Sequence, residues 1–255
     1  MSIVEYLIVC PLVFIAGFID AIAGGGGLIS LPAYLIAGLP PHMAIGTNKF
    51  SSCIGTTVTT WHYARCGFIH WRRVAPAIVT ALVGSALGAN ITLWIDNHTI
   101  KQIMLFVLPL TGFFVVKCNT FHNEQTPFAE TKTMLIVTAL SFFVGIYDGA
   151  YGPGTGTFLM LLLTAVAHMS LNEAAGTTKV INLSTNIAAL AVFLHNGVVV
   201  FPLAIAATLF GVAGNYIGAR FFTRRGATFA RPIILFVLAV FFIKILWELV
   251  NEALL

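Results

Sequence analysis

Residues 17–32, GFIDAIAGGGGLISLP, interrupt an apolar run long enough to cross a bilayer with a lone aspartate and four consecutive glycines. Both features are costly in lipid. A backbone group without a partner in hydrocarbon costs several kcal/mol, and a charge at the bilayer centre costs roughly 3 kcal/mol or more. A chain that keeps them is expected to bury this stretch inside a protein or to line a water-filled cavity with it.

The remainder of the sequence sets the same membrane context. It is 58% hydrophobic and 9% charged, with a mean hydropathy of +0.95, whereas soluble domains are about a quarter charged. The apolar residues fall in long unbroken runs, which excludes an alternating barrel pattern and predicts an all-α, polytopic helical bundle. Ten segments are expected, at about 3–22, 28–39, 43–64, 74–95, 100–117, 134–149, 155–168, 173–195, 199–222 and 231–250. The second and seventh are too short to cross, since about 20 residues are needed, and read as re-entrant arms. Glu5 stands where a signal peptide would be basic, so the first segment reads as a retained span. Residues 1–255 are expected to form one integral membrane domain.

Its two halves repeat. GFIDAIAGGGG at 17–27 answers to GIYDGAYGPGT at 145–155, matching Asp20 to Asp148, Gly24 to Gly152 and Gly26 to Gly154. After a slip of two residues, GTNK at 46–49 answers to GTTK at 176–179, and Gly67, Gly84 and Gly88 answer to Gly197, Gly214 and Gly218. Short cytoplasmic loops collect Lys and Arg. Arg65, Arg72 and Arg73 follow the third segment, but the eighth is followed by no basic loop; Arg220, Arg224, Arg225 and Arg231 come one segment later. Equivalent loops are thus expected on opposite sides, as in inverted repeats of about five segments each, at 3–117 and 134–250. Residues 118–132 would be a cytoplasmic linker.

Charges within apolar segments are Asp20, Lys49, Asp148, Lys179 and Lys244. Lys244 lies near a span end, where its stem can snorkel to the interface. The other four are related by the repeat. Each aspartate precedes a glycine turn, so it either caps freed amides or supports a solute site at a broken-helix hairpin tip. Each lysine either pairs with an aspartate of its own or the other repeat, or joins helix N-terminal amides in binding a small anion. Gly24, Gly25, Gly26, Gly152 and Gly154 would bring the backbone close to such a solute. Thr47, Asn48, Thr177, Asn182 and Asn186 would orient it. Ser52, Thr56 and Thr59 continue the stripe on the lysine's face, where they either line a pathway or join helices. Gly84, Gly88, Gly211, Gly214 and Gly218 read as close-packing positions, and Cys53 as an inert buried thiol. The histidines and cysteines have no metal-ligand spacing, and no cofactor or nucleic-acid motif is present. Neither GxSxG nor HExxH occurs, which disfavours an intramembrane enzyme. An assembly or sensor subunit with internally paired charges stays open, as does a homo-oligomer.

GFIDAIAGGGGLISLPAYLIAGLPPHMAIGTNK, with GIYDGAYGPGTGTFL and AAGTTKVINLSTNIAAL, resembles the TauE/SafE sulfite exporter family of bacterial membrane transporters over nearly the whole chain. The resemblance implies a multi-pass inner-membrane transporter of small anions, often sulfur-containing, such as sulfite or sulfonates. Carried over by position, the motif points to Asp20, Gly24 to Gly27, Pro32, Thr47, Asn48 and Lys49, and to Asp148, Gly152, Gly154, Thr177, Lys179, Asn182 and Asn186. GPGT in place of GGGG, and GTTK in place of GTNK, make the second copy unlike the first.

Overall fold

The computed structural model describes residues 3–96 and 126–225, with Thr99 and Trp247 besides. Eight helices make up these residues: α1 (Ile3–Ala23), α2 (Gly27–Ile36), α3 (Pro41–Arg65), α4 (Trp71–Trp94), α5 (Glu130–Ala150), α6 (Thr155–Ala165), α7 (Leu171–His195) and α8 (Phe201–Arg225). The expected segments at 100–117 and 231–250, with Lys244 and most of the 118–132 linker, lie outside the described residues. Within the linker, Glu130 and Lys132 belong to the first turn of α5.

Boundaries follow local chemistry. Pro40 and Pro41 open α3, where a missing N–H costs nothing. Ser170 opens α7 through a capping box with Glu173. Five of the described helices, α1, α4, α5, α7 and α8, are long and apolar enough to span a membrane, and α2 and α6 are shorter apolar helices. At 1.5 Å per residue α2 reaches about 15 Å, half of a hydrocarbon core. α3 has the length but not the hydropathy of a span. Twelve of its residues are buried, among them Thr47, Asn48, Lys49, Ser51, Thr56, Thr59 and Thr60, because it faces protein rather than lipid.

The two halves exchange equivalent contacts. A Cβ at Gly84 or Gly88 of α4 would strike the carbonyl of Phe142 or Ile146 on α5, and one at Gly214 or Gly218 of α8 would strike that of Phe14 or Phe18 on α1. Each contact is the repeat image of the other. Backbones packed this closely are how membrane helices associate without a hydrophobic drive, so the glycines are required by contact rather than by conformation. The contacts also give direction. Sequence numbers rise together along α4 and α5, and along α1 and α8, so each pair is parallel. Along α3 and α7 they run oppositely, with Lys49 beside Asn186 and Thr60 bonded to the carbonyl of Lys179. α3 and α7, equivalent by sequence, are therefore antiparallel neighbours at the centre of the molecule.

Two apolar clusters fill the interior. One gathers Tyr63, Phe222, Val137, Leu159 and Ile181, and the other Tyr34, Phe193, Leu31, Ile45 and Leu203. The buried charges of α3 and α7 belong to neither.

Candidate functional site

Each hairpin turns on glycine. After α1, Gly24 takes φ +72°; after α5, Gly152 and Gly154 take +94° and +79° around Pro153. Side chains with a Cβ are strained there by about 1–2 kcal/mol, which is why the turns read as glycine clusters. The two tips touch. Gly24 lies so close to the backbone of Gly156 that neither has room for a Cβ, and a Cβ at Gly27 would sit 3.1 Å from Pro153. Thr157 at the start of α6 donates to the carbonyl of Ala23 at 2.6 Å. The N-terminal ends of half-helices α2 and α6 thus come together, and such ends carry partial positive charge.

The four repeat-related charges pair crosswise between the halves. Lys49 of α3 lies 3.0 Å from Asp148 of α5, and Lys179 of α7 lies 2.7 Å from Asp20 of α1. Their surroundings differ. The Lys179 side chain is 0% exposed and also donates to the backbone carbonyl of Asp20. That carbonyl is in the last turn of α1, where helical partners run out, and it also accepts from the Gly24 N–H at 2.8 Å. Tyr63 and Thr157 take two more, those of Ala21 and Ala23. Lys179 is therefore a helix cap as well as an ion-pair partner, and a cation suits the negative end of the helix. Asp20 Oδ1 accepts in addition from the Gly26 N–H at 3.4 Å.

Lys49 bonds to side chains. It donates to Asn186 Oδ1 at 3.1 Å, while Asp148 Oδ2 is near enough for charge attraction but aligned with no hydrogen-bond donor. A cavity with about 370 Å³ of empty space opens beside this pair, lined by Asp20, Gly24, Gly27, Asn48, Lys49, Ser52, Thr56, Asp148, Gly152, Thr155, Gly156, Asn182 and Asn186. Most of the lining falls into repeat-related pairs: Asp20 with Asp148, Gly24 with Gly152, Gly27 with Thr155, Ser52 with Asn182 and Thr56 with Asn186. The cavity sits where the two halves meet as equivalents. Its lining breaks the relation at Asn48, Lys49 and Gly156, whose counterparts Thr178, Lys179 and Leu28 are absent from the wall.

Besides Asp148 Oδ2, two buried polar atoms of α7 have no hydrogen-bond partner. Asn182 Oδ1 belongs to a cavity-lining residue, and Thr178 Oγ1 is buried behind the wall. A second cavity, of about 310 Å³, shares Asp20, Gly27, Asn48, Ser52 and Thr56 and extends along α1, α2 and α8 to Ser30, Ser51 and Asn215.

Of the residues expected at a solute site, Lys49, Asn48, Asn182, Asn186, Gly24 and Gly152 line the first cavity together with both aspartates, and Gly26 lines the second. The others are turned elsewhere. Thr47 accepts from the Val200 N–H at the start of α8, Thr177 and Gly25 are buried off the wall, and Gly154 packs on Leu28. Thr155, Gly156 and Asn215 were not expected. Asn215 had a signal, a polar residue within an apolar helix, where it accepts from Thr59 at 2.8 Å. Among the described residues no group of three His, Cys, Asp or Glu side chains is placed to hold a metal ion.

Known proteins match this chain along most of its length. The family described as sulfite exporter TauE/SafE matches residues 9–245. A probable membrane transporter protein of a Sinorhizobium species, ORF9, is 35% identical over 91% of this chain and 89% of its own. One from Haemophilus influenzae is 33% identical over 87% and 86%, and the probable membrane transporter YfcA of Escherichia coli 29% over 92% and 87%. No solved structure matches at a significant level.

Proposed function

The chain belongs to the sulfite exporter TauE/SafE family of multi-pass membrane transporters, and from that premise we propose that it carries a small anion, a sulfur oxyanion or sulfonate, through the cavity between its hairpin tips. The observation that carries this reading is a cavity at the meeting of the two repeats that holds one cavity-facing ammonium and two half-helix N-termini. Transporters built from inverted repeats bind their solutes at such broken-helix junctions, with helix N-termini toward anionic groups. Thr56 and the amides of Asn48, Asn182 and Asn186 supply uncharged donors around Lys49. Asp20 and Asp148 balance the charge. Antiparallel α3 and α7 support an arrangement of inverted repeats in the bilayer, in which rocking of one half against the other alternates access.

A thermal-shift screen of sulfite, thiosulfate, sulfonates and small carboxylates tests the reading, since a ligand that binds the folded state raises its stability by mass action. Stabilisation by a sulfur anion in the native protein and its loss in Lys49→Gln are expected. A screen in which no anion stabilises the protein, or in which Lys49→Gln responds unchanged, rejects it. Orientation has its own test: a reporter placed within 65–73 reads cytoplasmic and one near 196 external.

A full set of internal ion pairs also suits an assembly or sensor subunit. Against that reading stands the placement of Lys49 on a cavity wall, where a wholly internal pair needs no cavity.

A further inference from the structure

Charge on the cavity wall cannot stay balanced when an anion enters. Asp20 is neutralised by Lys179 behind it, and Lys49 by Asp148 at 3.0 Å. An anion drawn to Lys49 makes two negative groups share one ammonium in a site where the Asp148 side chain is 7% exposed and screening is weak. Resting on the small-anion reading above, we propose that Asp148 takes up one proton for each anion bound, so that the freed Lys49 meets the anion and Asp148 couples transport to a proton gradient. The balance is simple: a proton from the aqueous side converts the carboxylate to a carboxylic acid, Lys49 keeps its charge, and the anion replaces the carboxylate as its partner.

Geometry selects Asp148 over Asp20. Protonating Asp20 would leave Lys179, fully enclosed and bound to the end of α1, without a counter-charge that any solute can replace. Protonating Asp148 leaves Lys49 facing the cavity. The carboxylates also differ in how they are held, because Asp148 Oδ2 has no aligned donor to lose, whereas both oxygens of Asp20 accept hydrogen bonds. A protonated Asp148 gains an O–H for Asn186 or the solute. The charged groups that share the cavity wall with Asp148 are Lys49 of α3 and Asp20 of α1, with Lys179 of α7 paired to Asp20, and Tyr147 and Tyr151 stand beside Asp148 in the chain. α6 contains no ionisable side chain, and the arginines of α4, Arg72 and Arg73, stand about three turns before Ser85, which packs on Gly149.

The test uses purified protein in weakly buffered detergent solution with a pH indicator. Methanesulfonate and thiosulfate serve as probes because neither titrates near neutral pH. Wild-type protein is expected to be stabilised by a probe and to take up about one proton per anion bound, with affinity falling about tenfold per pH unit once Asp148 is deprotonated in the free protein. Asp148→Asn is expected to bind the probe with no proton uptake and no pH dependence. Stabilisation of the wild type without proton uptake overturns the inference and leaves the anion reading standing. Proton uptake that persists in Asp148→Asn overturns the assignment to Asp148. Absence of stabilisation by either probe overturns the anion reading and this inference with it. Should Asp148→Asn fail to fold, Asp20→Asn takes its place: proton uptake that persists there supports Asp148, and its loss overturns the assignment.

Discussion

Lys49 with Asp148 and Lys179 with Asp20 are one interaction written twice by the repeat, yet they are built for different work. Lys179 is sealed, bonded to both a carboxylate and a helix-end carbonyl. Lys49 shares its ammonium between two side chains at the edge of a cavity. The difference teaches that the repeat fixes where a charge lies along a helix and which helix it crosses to, while its neighbours fix whether a solute can reach it. Symmetry of sequence is no guide to symmetry of role.

The largest effect expected is on stability, at Lys179, whose side chain is fully enclosed. Removing one partner of a buried ion pair costs about 3–5 kcal/mol, and Lys179→Gln also removes a bond to the Asp20 carbonyl at the end of α1. It should lower the yield of monodisperse protein and the melting temperature below those of Lys49→Gln, which also breaks a buried pair but loses no bond to a helix end and adds a deficit in anion binding. Equal destabilisation by the two variants breaks the contrast between them.

Next come the turn glycines. Gly24→Ala adds left-handed strain of about 1–2 kcal/mol to a clash with the backbone of Gly156, and overpacking adds about 1–3 kcal/mol. Gly152→Ala meets chiefly side-chain ends, Asp148 Oδ1 at 2.7 Å and Lys49 Nζ at 3.0 Å, which can shift. Thermal denaturation should therefore rank Gly24→Ala as the less stable. Anion-induced stabilisation should be weakened in Gly152→Ala, because the Cβ pushes on the pair that faces the cavity. A Gly152→Ala protein that binds anions like the wild type would detach that pair from binding. Smaller again is Ser85→Ala. It removes a 2.6 Å buried bond to the carbonyl of Thr185 and costs about 0.5–1.5 kcal/mol, because that carbonyl, inside α7, keeps its helical partner.

Much of this was legible in the sequence. Long apolar runs and glycine turns located the described helices to within a few residues, and paired Asp and Lys marked the residues that meet. The direction of pairing was not legible. Asp20 lies as plausibly beside Lys49 as beside Lys179 on a linear chain, and only the crossing of α3 and α7 decides it. Nor could spacing separate Thr47, which caps α8, from Asn48, which faces the cavity; neighbours on a helix point about 100° apart, and the packing partner selects the face. Thr155 and Gly156 escaped notice because they do not belong to the copy of the motif that is richest in glycine. Their helix start becomes part of the wall only when the other tip is laid against it.

The smallest effect bears most directly on whether the two pairs keep fixed roles. Thr178 is the counterpart of Asn48, but its hydroxyl is buried without a partner, behind the wall rather than on it. An unsatisfied buried hydroxyl is a net cost, so the near-isosteric Thr178→Val should stabilise the protein by up to about 1 kcal/mol and leave anion flux unchanged. Exchange of roles between repeats during transport would give another outcome, because Lys179 and Thr178 would then come to the cavity as Lys49 and Asn48 leave it. In that case Thr178→Val would fold normally and lose flux in vesicles. Lys179 argues for fixed roles: enclosed, and bonded to both the carboxylate and the backbone carbonyl of Asp20, it would have to give up two bonds in each cycle to reach the cavity.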